Sequence, residues 1–414
     1  MRRHKGERDV EKSLRDMKDC GFTASCFLEA KDIPACRAAG LHPIVYPFRA
    51  AKEGEIERGS IDTFFISSDG RISVSAMLKD KKATQEMIDE AVKEALVEMP
   101  PEPFTLYVVD EPGAGSYQRI KWMVDSVKKY RPDLDTHINL FPNYAMCGKP
   151  DMSQLETETY DQYLEKYCEM LGDTPLSVDS YDIIIGMDNQ NKGAEKRYYL
   201  NLIQCRDACD KYGVEFHFIV NSNQLRNFLT VPTMANLMLQ AFTVIAAGAR
   251  SLAWFTYFGR NDYCYAPVDD NGDEDIRTPV WYLLREVNRR ALSMGEHLYG
   301  MEYKGMYFSD TLGISRAKNV SECPEIKGFS SDLPCMVGMY EDNGESVAVI
   351  VNMSLEHSTK FDIDLGGELL WWSTEENRYI RPLITAGNKL PGAVAKTTPM
   401  WLAPGDAIIV RSKK

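Results

Sequence analysis

The chain has 414 residues and a formal net charge of −13, long enough for a full (β/α)8 barrel of ~250 residues plus a smaller domain. The acidity argues against a nucleic-acid partner, whose phosphates demand a basic face, and suits a neutral or basic small substrate. A hydrophobic content of 44% and a charged content of 26% are those of an ordinary globular protein, and no apolar run approaches the ~20 residues of a membrane span.

The first segment, 8–18, is charged with apolar residues at helical spacing and leads into Gly21-Phe-Thr-Ala-Ser-Cys-Phe-Leu28. A rhythm of strand, loop and amphipathic helix then sets in. A helix over 33–39 ends at Gly40, a natural C-cap, and Leu41-His-Pro-Ile-Val-Tyr46 follows. Residues 49–80 read as an excursion with a polar turn at Ser68-Asp-Gly70. Helices are expected over 83–99, 117–130, 156–170, 194–212 and 232–247. They precede strands at Phe104, His137, Leu176, Glu215 and Ser251 in turn. Such alternation implies βαβ units and a parallel sheet.

Seven strands are counted, one short of a closed barrel, so the expected fold is a (β/α)8 TIM barrel over residues 1–300 whose first strand is missing or lies in the sparse N-terminus. A doubly wound open sheet is the rival, but it usually carries a Gly-rich phosphate turn that is not visible here. After a helix over 280–298 the helical period fades. Residues 301–414 alternate in the strand period, with Asp342-Asn-Gly344 as a hairpin turn. They are expected to form a small all-β sandwich packed on the barrel.

The ten cysteines show no paired metal spacing, and Cys205 and Cys209 read as core packing on a helix. No metal or cofactor is expected. Asp269-Asp-Asn-Gly-Asp-Glu-Asp275 has its glycine at the wrong place for a calcium loop and reads as a solvated acidic turn. Scattered cysteines without a framework suit a reducing compartment. The N-terminus has no apolar signal region, which points to the cytoplasm unless a preceding segment carried a signal peptide.

Side chains alternate faces along a strand, and on a barrel strand the outer set packs against helices. On the strand from Phe104, this puts Phe104, Leu106 and Val108 outside and Thr105, Tyr107, Val109 and Glu111 inside, with Asp110 turned outward. The same parity sends Asn139, Asp179, Tyr181 and Asn221 inward on the next three strands. Glycoside hydrolysis needs two carboxyl groups flanking the scissile bond, one of them protonated. Glu111, at a strand end and backed by apolar residues, is the candidate acid. Asp179, two strands on, is the candidate second carboxylate. Asp182 competes by proximity but points away by parity. The strand after Asp179 ends in Asn221-Ser-Asn-Gln224, with no carboxylate where many retaining barrel glycosidases place one. Asn139, Asn143, Tyr181, Asn221, Tyr257 and Asp262 are candidates for holding substrate. Trp254 is expected to pack against a helix.

Val108-Val-Asp-Glu-Pro112, Asn139-Leu-Phe-Pro-Asn143 and Val178-Asp-Ser-Tyr181 resemble, in order and spacing, motifs of bacterial glycoside hydrolases of the (β/α)8 superfamily. Those proteins show an Asp-Glu-Pro strand end, an Asn-Leu-hydrophobic-Pro segment and an Asp-x-Tyr-Pro motif; Asp182 stands here for the last proline. The resemblance covers residues 10–300, and the β tail resembles the C-terminal sandwich common in such enzymes. It implies a carbohydrate substrate without identifying the sugar. The rival expectation is a non-catalytic or degenerate sugar-binding barrel, because the usual second glutamate is absent.

Overall fold

A computed structural model describes residues 9–46, 77–78, 80–97, 99–185, 194–225, 232–259, 264–270, 275–381 and 400–413. The polar turn expected at 68–70 and Asp262 lie outside them. Seven strands form one sheet in chain order: β1 (Ala24–Leu28), β2 (His42–Val45), β3 (Thr105–Asp110), β4 (Asp135–Leu140), β5 (Leu176–Asp179), β6 (Phe216–Asn221) and β7 (Ser251–Phe255). The strands run parallel, with helices between them, which is the α/β architecture of a TIM barrel. An eighth strand of this sheet is not found among the described residues.

The helices follow the sequence signals closely. They are α1 (Val10–Asp19), α2 (Ile33–Ala38), α3 (Gln85–Val97), α4 (Tyr117–Tyr130), α5 (Tyr160–Leu171), α6 (Ala194–Tyr212), α7 (Met234–Ala246) and α8 (Pro279–Leu298). Thr159 and Thr233 close reciprocal capping boxes with Gln162 and Asn236 at the starts of α5 and α7, satisfying amide groups that have no partner within the helix. Gly40 and Gly213, just past α2 and α6, take φ of +73° and +71°, the left-handed cap that glycine adopts without a Cβ penalty.

The chain divides into two compact units, Met1–Asp179 with Asp207–Phe216, and Ser180–Arg206 with His217–Lys414. In the first, α3 and α4 are joined at Asp89, whose carboxylate accepts from Ser126, Lys129 and Tyr130 of α4 at 2.8, 2.9 and 2.7 Å. In the second, the tail forms the expected β structure: β8 (Glu302–Phe308), β9 (Gly328–Ser331), β10 (Cys335–Asp342), β11 (Glu345–Asn352), β12 (Thr359–Asp364), β13 (Glu368–Ser373), β14 (Arg378–Ile380), β15 (Met400–Leu402) and β16 (Ala407–Lys413). Six of these make a sheet in the order β8-β10-β11-β16-β13-β14, and β9-β12-β15 make a second. Val337, Ile350, Phe361, Ile363 and Val410 are among the residues of their common core. Asn343 and Gly344, both with positive φ, form the tight turn between β10 and β11 that the sequence announces.

This sheet packs directly on α7 and α8. The Tyr340 hydroxyl donates to the Ile245 carbonyl at 2.5 Å, and Arg290 pairs with Asp406 at 2.5 Å. Gly338 passes so close to α7 that a Cβ there would lie 2.1 Å from the Ala246 carbonyl oxygen. Cys205 and Cys209 are buried in α6 as core residues. No helix among the described residues is long and apolar enough to cross a membrane.

Candidate active site

On a regular strand Asp110 faces the helices, as parity predicts. The pairing of β3 with β4 breaks that regularity: Tyr107 lies opposite His137 and Val109 opposite Ile138, so Val108 is an extra residue. A bulge of this kind reverses the faces of whatever follows it. Asp110 is consequently in register with Asn139, and Asn139 with Ser177 on β5. The outward orientation expected for Asp110 is thus corrected.

The side chains complete the row. The Tyr107 hydroxyl donates to Asp110 Oδ1 at 2.7 Å. Asn139 Nδ2 donates to the same oxygen at 3.2 Å and to Asp179 Oδ1 at 3.0 Å. The Ser177 hydroxyl donates to Asn139 Oδ1 at 3.4 Å. Burial and the charge of Asp110 hold Tyr107 well above the ordinary phenol range, so the hydroxyl keeps the proton it donates. Ile138, Leu140, Leu176 and Val178 are fully buried, consistent with the outer, helix-facing set that parity assigns on β4 and β5.

Glu111 comes next, and its backbone is unusual. Its φ is +46°, a conformation costing a side-chain-bearing residue about 1–3 kcal/mol. Three groups hold this corner. The Glu111 N–H donates to the Asn139 carbonyl at 2.8 Å. The Tyr163 hydroxyl of α5 donates to the Pro112 carbonyl at 2.8 Å and accepts from the Phe141 N–H at 3.3 Å. The Glu156 carboxylate accepts from the Gly115 N–H at 2.6 Å and the Asp151 N–H at 3.1 Å. A Cβ at Gly113 or Gly115 would lie 2.7 or 2.4 Å from Glu156 Oε2, so a larger residue at either position would have to displace this carboxylate.

Glu111 is half-buried. Its own burial, then the charges of Asp179 and Asp110, push its carboxyl up to about 8. At neutral pH it is therefore mainly a carboxylic acid beside two aspartates joined by one amide. Asn143, in the loop after β4, is half-buried.

The other candidates belong to the second unit. Tyr181 stacks on Phe255 at 5.6 Å, and Phe255 is 40% exposed. Tyr257, expected at the rim, is buried, and its hydroxyl oxygen accepts from Trp281 Nε1 at 2.9 Å; the exposed ring of this segment is Phe255. Trp254 donates to Asn288 of α8 at 2.9 Å, as a packing residue does. Asn221 is fully buried and its backbone is clamped on both sides by the Gln240 amide, at 2.9 and 3.0 Å. Its Nδ2 has no hydrogen-bond partner among the described residues. Asp182 is spent on Arg197, which donates to both of its oxygens at 2.9 Å. Glu111, Asp179 and Asn139 are thus brought together. Asp110, Tyr163 and Glu156 are the residues of this centre that sequence parity passed over. No group of three or more His, Cys, Asp or Glu among the described residues is arranged to hold a metal ion.

No protein-family model matches the chain, and no curated protein is significantly similar to it in sequence. Solved structures do resemble it. Gan42B, a GH42 β-galactosidase of G. stearothermophilus, superposes with a TM-score of 0.58 at 8% identity, over 98% of this chain and 95% of that one. A catalytic mutant of Gan42B gives 0.58 at 7% identity with the same coverage. The Thermotoga maritima α-fucosidase gives 0.41 at 9% identity, over 98% and 79%. The fold is therefore that of a TIM-barrel protein with a β-sandwich tail, shared with a GH42 β-galactosidase along nearly the whole chain.

Proposed function

We propose that the protein is a glycoside hydrolase in which Glu111 is the general acid and Asp179 the second carboxylate, acting as base or nucleophile. The observation that carries the reading is the Glu111 carboxyl, held protonated near neutral pH at the end of a parallel strand, beside Asp179 and Asp110. Hydrolysis of a glycosidic bond needs a proton donor for the leaving oxygen and an anion to stabilise or attack the anomeric carbon. The likeness in fold to a β-galactosidase supports the reading, although fold alone carries no chemistry.

In this proposal Asn139 orients both aspartates. Asn143, Tyr181, Asn221, Tyr257 and Asp262 are assigned to substrate; the buried, unpartnered Nδ2 of Asn221 supports its assignment as a donor awaiting an acceptor. Residues 1–300 carry the chemistry and 301–414 serve as a supporting domain. The free cysteines of the described residues support a reducing, cytoplasmic setting.

The test is hydrolysis of a panel of aryl and unactivated glycosides by wild type and Glu111→Gln. Wild-type turnover that falls about 10²–10⁴-fold on unactivated substrates in the variant is expected, the range for loss of a general acid. Binding without turnover across the panel would replace the proposal with a sugar-binding barrel.

A further inference from the structure

Phe27 is an aromatic residue in two unfavourable situations at once. Its φ is +58°, and the residue is 59% exposed. Both follow from a bulge in β1, where Cys26 and Phe27 stand between the pairs Ser25–Pro43 and Leu28–Val45. A bulky residue at positive φ is an outlier that folding alone does not favour, and bulges re-aim side chains next to functional sites.

The exposed ring is nonetheless held in place. It lies 5.6 Å from the ring of Tyr46 and 4.9 Å from that of Tyr107, and those two are 5.8 Å apart. The three rings form one aromatic group. Tyr107, buried beneath, passes its hydroxyl to Asp110 Oδ1 at 2.7 Å. The platform is thereby continuous with the carboxylate centre. Asp110 is exposed, and both donors it receives, Tyr107 and Asn139, use Oδ1. Among the described residues nothing donates to its second oxygen, Oδ2, which is left for something that donates a hydrogen bond.

We propose that Phe27, backed by Tyr46 and Tyr107, is a stacking subsite for a neutral sugar ring, with one ring hydroxyl donating to Asp110 Oδ2. A pyranose or furanose presents a C–H face to an aromatic ring and hydroxyls at its edge, which matches an exposed ring beside an open acceptor. Asp110 and Asp179 disfavour a uronic or phosphorylated sugar, because like charges held close together repel. The inference rests on the glycosidase reading for the kind of ligand, but its test does not require turnover.

The probes are methyl glycosides of neutral hexoses and pentoses, with methyl glucuronide and methyl galacturonide as the acidic set. Binding is read by calorimetry and ligand-observed NMR on the Glu111→Gln protein. At least one neutral glycoside is expected to bind, and the acidic ones at least tenfold more weakly. Phe27→Gly, in protein shown to remain folded, should weaken binding about tenfold, the scale of one lost apolar contact face. Phe27→Tyr should keep the affinity within about threefold. Affinity lost in folded Phe27→Gly and kept in Phe27→Tyr marks a ligand subsite, since a merely structural ring would not change affinity in a folded protein. Absence of binding by every neutral glycoside, equal binding of the acidic set, or undiminished affinity in a folded Phe27→Gly protein would each overturn the subsite. Wild type that binds through Phe27 but hydrolyses nothing overturns the catalytic reading and leaves the subsite standing.

Discussion

Asn139 donates to Asp179 through the same amide nitrogen, at 3.0 Å, that also reaches Asp110 at 3.2 Å. One side chain on the middle strand thus holds two carboxylates from the strands on either side, and its carbonyl oxygen is itself fixed by Ser177. Replacing it with alanine leaves two anions without their common donor. Because hydrogen bonds to charged groups contribute about 1.5–3 kcal/mol, Asn139→Ala should lower kcat/KM roughly 10- to 150-fold. Steady-state kinetics on the best glycoside measures this, and a loss below threefold would remove Asn139 from the catalytic arrangement.

The acid limb assigned to Glu111 makes a specific pH profile. Its carboxyl must be protonated to act, so activity should hold up to neutral pH and fall on the alkaline side with a midpoint near its pKa of about 8. Asp179 and Asp110 contribute to that elevation. Asp110→Asn, which removes one negative charge but keeps a similar shape, should move the alkaline midpoint to lower pH. A profile whose alkaline limb stays put in this variant contradicts the electrostatic coupling.

The same group governs a stability trend. A carboxyl whose folded pKa lies above its unfolded value holds a proton that the unfolded chain releases. Folding stability contributed at this site therefore declines as pH rises from about 4.5 to about 8. Glu111→Gln has no charge to bury. Its melting temperature should rise relative to wild type as pH increases from 5 to 9, a difference that thermal scans at matched salt will show.

Tyr163 reaches from α5 to the carbonyl that follows Glu111 and to the Phe141 amide. Tyr163→Phe leaves both without this hydroxyl, at a cost of about 1–3 kcal/mol for a buried unsatisfied group. Denaturant unfolding reads the cost. A kcat that falls while KM holds distinguishes a displaced Glu111 from a damaged binding surface.

Gly338 tests how the tail is seated. A methyl group there meets the Ala246 backbone of α7, at 2.1 Å from its oxygen, and backbone cannot swing aside as a side chain does. Gly338→Ala should destabilise the protein by about 1–3 kcal/mol, the range for overpacking, measured as a shift in denaturant midpoint. Gly344→Ala, which has open space but a positive φ, should cost less.

Much of the architecture was legible because its signals are local. Periodicity fixed α4 at Tyr117–Tyr130, and glycine marked the ends of α2 and α6. Alternation placed Asn139, Ser177 and Asp179 on one face because β4 and β5 pair without interruption. The same rule failed for Asp110, since two successive valines carry no sign of which one the partner strand will skip. Nor does alternation tell how far Tyr257 is buried, which depends on Trp281, 24 residues away. Tyr163 and Glu156 were invisible for a like reason: each acts on the turn after Glu111 from more than 40 positions downstream.

The extra residue at Val108 has a consequence for how this centre tolerates change. A pleated strand cannot direct two adjacent side chains to the same side, so it offers a site one carboxylate per pair of positions. By spending one residue off the ladder and turning the next corner at positive φ, β3 delivers Asp110 and Glu111, neighbours in sequence, to a common electrostatic neighbourhood. The arrangement depends on a count rather than on a residue type. Replacing either valine with another apolar residue keeps that count, and with it the register of Asp110 opposite Asn139.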